Sequence, residues 1–142
     1  MIKLTEEAIA YHEAGHAVVS MKLGYSCRYV TIVPKGKIQG HASCEDPMKG
    51  EHEKKVEHAL KLKMAGRIAE GKHTGLAVWS DSCDRVDAVN LANEATDRDG
   101  PRTEQLVMRM LGETRDLVDK HWAEIDALAQ RLLVEKTVLL AS

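Results

Sequence analysis

Five stretches of the chain place apolar residues at helical spacing, and one stretch has the character of β-strands. A first helix is predicted over 5–23, with Thr5 as the N-cap and Gly24 after its C-terminal end. Val56, Leu60 and Met64 recur on one side of an amphipathic helix predicted over 51–70. A loop is predicted over 71–79, followed by helices over 82–97, 103–111 and 114–134.

The segment 27–44 is rich in the β-branched and aromatic residues typical of strands. It predicts a strand over 27–34, a turn over 35–37 and a second strand over 38–44. Gly40, with Pro47 soon after, favours an edge position for the second strand. The expected fold is mainly α (α+β), a single domain over 1–142 with a small β-sheet or hairpin beside the first helix.

Composition argues against several classes of function. Lys plus Arg number 20 against 22 Asp plus Glu, a formal charge of -2, so the chain has no positive field of the kind that attracts nucleic acid. No apolar run approaches the roughly 18 residues of a membrane span, and no secretory leader is expected. The sequence also lacks a P-loop, so we expect any ATP-driven step to come from a separate ATPase partner.

The chain has three cysteines, Cys27, Cys44 and Cys83, without C-x-x-C spacing. An odd number argues against a disulfide framework and fits a reducing compartment. The sequence therefore predicts a cytoplasmic protein.

The clearest chemical signal is the H-E-x-x-H sequence formed by His12, Glu13 and His16 in the first helix. Residues four apart share one face of a helix, so both imidazoles can bind the same ion. Two histidines at this spacing are typical of a zinc site, and the glutamate between them is placed to act as general base toward a water molecule. A pentapeptide of this kind also arises by chance, and buried histidines are commonly hydrogen-bonded core residues.

A catalytic zinc site needs a third protein ligand, which the local sequence does not identify. The metzincin continuation is excluded because Val19 and Lys22 stand where glycine and histidine are required. A glutamate some twenty residues on, as in thermolysin-like enzymes, is also absent. The remaining candidates lie further along the chain: Glu70, His73, Asp81, Cys83 and Asp84.

Four blocks of sequence resemble, in the same order, the zinc peptidase domain of the FtsH-type AAA proteases. They are 11–19 (YHEAGHAVV), 30–36 (VTIVPKG), 65–70 (AGRIAE) and 82–84 (SCD), the last followed by Ala88 and Ala92. The tail from Thr114 is similar to that family's closing helix. The resemblance implies His12, His16 and Asp84 as zinc ligands and Glu13 as base. Asp81 is the rival third ligand, while Glu70 is expected to be a structural partner near the site.

The resemblance implies a zinc-dependent endopeptidase that hydrolyses peptide bonds in unfolded or flexible polypeptides. The 142 residues carry no ATPase module, so we expect the domain to act alone or with a separate motor. Peptidase domains of this family form rings, which implies a homo-oligomer. The alternative is a zinc-containing interaction or regulatory module without proteolytic activity. Among the other histidines, His52 and His58 are expected to be solvated, and His41 to face solvent or the cleft.

Overall fold

The computed structural model describes residues 5–75 and 83–140, with only the backbone described for residues 83–85. The elements are α1 (Glu6–Lys22), β1 (Cys27–Thr31), β2 (His41–Cys44), a 3-10 turn (Pro47–Lys49), α2 (Lys55–Thr74), α3 (Cys83–Ala95), α4 (Gly100–Lys120), α5 (Trp122–Glu135) and β3 (Thr137–Leu139). The predicted mainly α fold with a small sheet is confirmed.

The first helix begins and ends where its sequence predicts. The Thr5 hydroxyl accepts a hydrogen bond from the Ala8 amide at 3.0 Å, which satisfies one of the amides that a helix start leaves unpaired. Gly24 follows the helix with a φ of +98°, a conformation that glycine adopts without strain. These two residues fix the length of α1 and so the position of its histidines.

Helix α1 packs against α2 at very short range. A Cβ placed on Gly15 would lie 2.6 Å from the Ala69 Cβ and 2.8 Å from the Ala65 carbonyl oxygen. Contacts of that length are repulsive, so the crossing requires glycine at position 15 and alanine opposite. The small residues of the H-E-x-x-H helix therefore bring the backbone of α2 next to its histidines.

The sheet is antiparallel with the strand order β2-β1-β3. Both strands of the predicted hairpin are present but shorter than expected, since Ile38 makes only an isolated bridge with Lys35. The short strand β3 was not predicted, because three residues after a long helix carry little strand signal. Since β3 occupies one side of β1, β2 is an edge strand, in agreement with the sequence.

Cys27 and Cys44 face each other across β1 and β2 and form a disulfide. The cysteine count argued against a disulfide framework, and this bond corrects that interpretation; the predicted hairpin already places the two ends, Cys27 and Cys44, opposite each other. Cys27 is buried beneath α1, and its sulfur lies 3.6 Å from the Ala17 carbonyl oxygen. The disulfide therefore joins the end of β2 to the start of β1, the central strand of the sheet. The cytoplasmic location stays a prediction.

The C-terminal helices divide at a different residue from the one predicted. Gly112 does not interrupt α4, although glycine costs roughly 1 kcal/mol in a helix interior. Burial of Met110, Thr114 and Val118 on the same helix offsets that cost. The break comes at His121, which separates α4 from α5.

Helix α2 is displaced along the sequence from its predicted bounds. It begins at Lys55 because the Lys54 amide donates to the His52 ring in a local turn at 3.0 Å. It continues through the buried Gly71 to Thr74, so the prediction of a loop from residue 71 was wrong. Residues 76–79 of that loop lie outside the described part.

Helix α2 contributes residues to both apolar clusters of the fold. One cluster lies between α2, α1, α5 and the sheet, and the other between α2, α3 and α4. Among the described helices, none has both the length and the apolar character that crossing a membrane requires.

Candidate active site

The two histidines of the H-E-x-x-H sequence lie side by side on α1, as their spacing predicts. Their Nε2 atoms are 3.1 Å apart, and both side chains line a cleft of about 860 Å³. In ideal tetrahedral zinc coordination two ring nitrogens lie about 3.3 Å from each other. The spacing of His12 and His16 is therefore close to that of two ligands on one ion.

The opposite nitrogen of each ring contacts an acceptor on α2. His12 Nδ1 lies 3.1 Å from Glu70 Oε1, and His16 Nδ1 lies 2.6 Å from the carbonyl oxygen of Leu62. A carboxylate and a carbonyl both accept, so each Nδ1 donates, and in a neutral ring Nε2 then carries a lone pair. Two lone pairs facing each other repel, and a cation held between them removes that repulsion.

Gly66 leaves open the space in front of these nitrogens. A Cβ at this position would collide with His16 Nε2 and would lie 2.8 Å from His12 Nε2. Glycine in the interior of a helix such as α2 lowers stability, so this one is explained by the room it makes for the histidines. The donor atoms and the cradle at Gly66 both fit a metal ion.

The predicted third ligand and its rival fall outside what the structure describes of side chains. Asp81 is outside the described residues, and for Asp84 only the backbone in the first turn of α3 is described. Position 84 comes one helical turn before Asp87, which lines the cleft with the histidines. Among the side chains that are described, no three His, Cys, Asp or Glu residues are placed to hold a metal. The roles of Asp84 and Asp81 stay predictions.

Glu13 lies in the same cleft as His12 and His16, and its side chain is half-buried. The main chain at Gly40, directly before β2, passes against the Glu13 side chain. The cleft continues along β2 and the 3-10 turn to the outer face of α3, where it is lined by Asp87, Asn90 and Glu94. A carboxylate, two imidazoles and an edge strand therefore share one open groove.

Two further candidates for the third ligand occupy other positions. Glu70 is buried behind His12, and Arg67 Nη1 donates to its second carboxylate oxygen at 3.2 Å. It contacts the Nδ1 side of His12 and not Nε2, so the structure gives it the position of a supporting residue. His73 stacks on Tyr11 and lies 2.7 Å from Glu7 Oε1, away from the cleft lining.

Residues 1–95 match the family model described as peptidase family M41. The chain belongs to that family. The resemblance to the FtsH-type peptidase domain is thereby confirmed.

Curated M41 relatives are named ATP-dependent zinc metalloproteases. FtsH 1 of Thermoanaerobacter sp. (strain X514) is 30% identical over 152 residues, an alignment that covers 95% of this chain and 25% of the relative. FtsH of Lactococcus lactis is 36% identical over 90 residues, which cover 61% of this chain and 13% of the relative. FtsH of Oenococcus oeni is 38% identical over 92 residues, which cover 62% of this chain and 13% of the relative. The chain thus spans about a quarter or less of the length of these M41 proteins.

Tyr11, next to the first histidine of this M41 chain, fixes α1 to α5. Its hydroxyl donates to Asp126 and accepts a hydrogen bond from Gln130 at 2.9 Å. Burial raises the pKa of Tyr11, and the hydrogen bond to Asp126 adds to the increase. The phenol therefore stays neutral and ties the histidine helix to the closing helix.

His58 differs from its prediction as a solvated side chain. It is buried, and its Nδ1 lies 2.7 Å from the Tyr25 hydroxyl oxygen. Burial lowers the pKa of His58, with the nearby His52 and Lys61 acting in the same direction. His41, by contrast, is exposed on β2 at the rim of the cleft, which agrees with the expectation for it.

The sequence alone did not indicate three contributions to the site: the Leu62 carbonyl, Gly66 and Gly40. A backbone carbonyl has no sequence signature, since every residue carries one. The two glycines offered a weak signal, because glycine inside a helix or beside a strand often marks a close approach.

Proposed function

We propose that this chain is the catalytic domain of a zinc-dependent endopeptidase. The observation that carries the proposal is the pair of Nε2 atoms 3.1 Å apart in the cleft, with both Nδ1 atoms held by acceptors on α2. His12 and His16 would hold the ion with Asp84, which the family resemblance implies as the third ligand. The names of the M41 relatives support zinc as the metal.

The protein's own groups divide the remaining work. A zinc ion bound here would supply a Lewis acid that polarises the peptide carbonyl and acidifies water. Glu13 lies in the cleft beside the histidines, where it can take a proton from the attacking water and pass it to the leaving amine. Glu70 and the Leu62 carbonyl orient the imidazoles, so that both Nε2 atoms face the same point.

The groove suits an extended polypeptide. Strand β2 is at the edge of the sheet and its residues Ala42 and Cys44 line the cleft, so a substrate backbone can pair with it. Such pairing requires an unfolded or flexible segment, because a folded chain has its backbone groups already paired. We therefore propose unfolded polypeptides as the substrates.

The proposal extends to partners. The M41 relatives are named ATP-dependent, which favours an ATPase motor that delivers unfolded chains to this domain. We also propose a homo-oligomer, because the FtsH-type peptidase domains that this sequence resembles form rings. Analytical ultracentrifugation of the chain, with and without zinc, tests the oligomer directly.

The experiment measures zinc binding and cleavage of unfolded casein by the full chain. We expect one zinc ion per chain, cleavage that chelators stop and zinc restores, and a loss of about 10²–10⁴-fold in rate for Glu13→Gln with zinc still bound. Glu104→Gln, an exposed carboxylate on α4, is the matched control. Zinc binding without cleavage by the wild type would favour the interaction module, and absence of zinc binding would contradict both.

A further inference from the structure

The residue just before the edge strand lies against the proposed general base. A Cβ on Gly40 would lie 3.0 Å from Glu13 Cγ, 3.1 Å from Glu13 Oε2 and 2.8 Å from Ile9 Cγ2. The φ of Gly40 is outside the positive range that requires glycine, unlike that of Gly36 or Gly24. Glycine is therefore needed at position 40 for space and not for backbone conformation.

The contact joins two elements that act together in the proposed reaction. Ile9 and Glu13 are four residues apart and share a face of α1. The chain at Gly40 crosses that face and continues directly into β2, the strand proposed to pair with substrate. Gly40 is thus the point at which the edge strand is held against the base.

We propose that Gly40 is a positioning residue for Glu13. Because it has no side chain, the main chain lies close against the Glu13 methylene groups and limits where the carboxylate can point. This inference rests on the proposed function, since it concerns the base of that reaction. It assigns no role in metal binding to Gly40, because the three atoms nearest an added Cβ belong to Ile9 and Glu13 and not to the imidazoles.

Gly66 offers the matched contrast on the other side of the site. An added methyl group there would meet the Nε2 atoms of His12 and His16, whereas one at Gly40 would meet Glu13 and Ile9. The same substitution at the two glycines should therefore damage different functions. Gly66→Ala should prevent metal binding, and Gly40→Ala should spare it and displace the base.

The size of the effect follows from the distances. The methyl group at position 40 does not fit at 2.8 Å from Ile9 and 3.0 Å from Glu13, so those side chains must move. An added Cβ at 3.0 Å from Glu13 Cγ and 3.1 Å from Oε2 requires this side chain to shift by a few tenths of an ångström. Since a displacement of about 1 Å in a catalytic group lowers the rate by roughly 100-fold, we expect Gly40→Ala to lower kcat several-fold with KM nearly unchanged.

The experiment compares Gly40→Ala, Gly66→Ala and Gly112→Ala in the full chain. Gly112 has open space around it, so its alanine variant is the control: it should keep the zinc affinity and kcat of the wild type and unfold at a slightly higher temperature, because alanine suits a helix interior better than glycine. Zinc affinity, thermal unfolding, and kcat and KM on a fluorogenic unfolded substrate are measured for each. We expect wild-type zinc affinity for Gly40→Ala and lost zinc binding for Gly66→Ala. Gly112→Ala should lose neither zinc affinity nor kcat.

A double variant separates positioning from general disruption. If Gly40 acts through Glu13, then Gly40→Ala added to Glu13→Gln should cause little further loss of rate. Full additivity of the two losses, or unchanged kcat in Gly40→Ala, would overturn the inference. Loss of zinc binding in Gly40→Ala would also overturn it.

A crystal structure of zinc-loaded Gly40→Ala decides the inference without an activity measurement. The Glu13 carboxylate should be displaced from its wild-type position, with His12 and His16 in place. An unmoved Glu13 would refute the positioning role. If the wild type fails to cleave casein, the proposed function fails, and this structural comparison still tests the contact.

Discussion

Glu70 Oε1 lies 3.1 Å from Nδ1 of His12, and it links the second helix of the fold to the H-E-x-x-H sequence of the first. Arg67 Nη1 donates to the other carboxylate oxygen at 3.2 Å, which holds Glu70 in this orientation. The side chain is buried, so the charged carboxylate depends on these two partners. Its position orients the His12 ring so that Nε2 faces Nε2 of His16.

Replacing Glu70 by glutamine should weaken zinc binding without removing a proposed ligand. An amide of the same size loses the charge-assisted hydrogen bonds, and such losses behind a ligating histidine lower metal affinity about 10–100-fold. Competition with a chromophoric chelator measures the affinity. Glu57→Gln, on the same helix but paired with Arg109 of α4, should bind zinc as the wild type does. Equal affinities for Glu70→Gln and wild type would contradict the supporting role.

The third ligand can be assigned by comparing two aspartates. Asp84→Asn should abolish stable zinc binding and casein cleavage, because the amide is neutral and a poor zinc ligand. Asp81→Asn should retain both, since at most a helix cap is lost there, at a cost of about 1 kcal/mol. Zinc content after dialysis is the measurement. The reverse pattern would transfer the ligand role to Asp81.

Tyr11→Phe should destabilise the fold, because it removes the hydroxyl that joins α1 to α5. The Asp126 carboxylate loses a donor and Gln130 loses an acceptor, a change worth about 1–3 kcal/mol. Chemical denaturation measures the free energy of unfolding. Tyr29→Phe, on the outer face of the sheet, is the control and should lie within about 0.5 kcal/mol of the wild type. Equal unfolding free energies for Tyr11→Phe and Tyr29→Phe would argue against a stabilising role for the Tyr11 hydroxyl.

His58 should make the stability of the fold depend on pH on the acid side. Its pKa is below the ordinary 6.5 in the folded state, first because of burial and then because of His52, Lys61 and Lys54, with Glu57 opposing them. The unfolded state therefore binds more protons there, and the free energy of unfolding falls as pH decreases from about 7 through the folded pKa.

The variant His58→Asn isolates this contribution. Asparagine keeps a hydrogen-bonding side chain near the Tyr25 hydroxyl but does not titrate, so its unfolding free energy should change less between pH 7 and pH 5. Denaturation curves at several pH values measure the slope. A slope in His58→Asn equal to that of the wild type would refute the prediction.

The sequence by itself determined the features that depend on neighbours along the chain. The four-residue spacing placed His12 and His16 on one face, Thr5 fixed the start of α1, and the four sequence blocks indicated the FtsH-type peptidase domain. The edge position of β2 followed from Gly40 directly before it and Pro47 soon after it. These are local properties, because helical and strand periodicity involve only a few successive residues.

The tertiary structure decided what surrounds those residues. The close crossing at Gly15 brings Glu70, the Leu62 carbonyl and Gly66 to the histidines, and the packing of the hairpin on α1 places Gly40 against Glu13. Burial of His58 and the division of the last helices at His121 depend equally on packing between elements. Such contacts join residues far apart in the chain. The spacing of residues within one helix or strand therefore cannot predict them, because they depend on how the elements pack together.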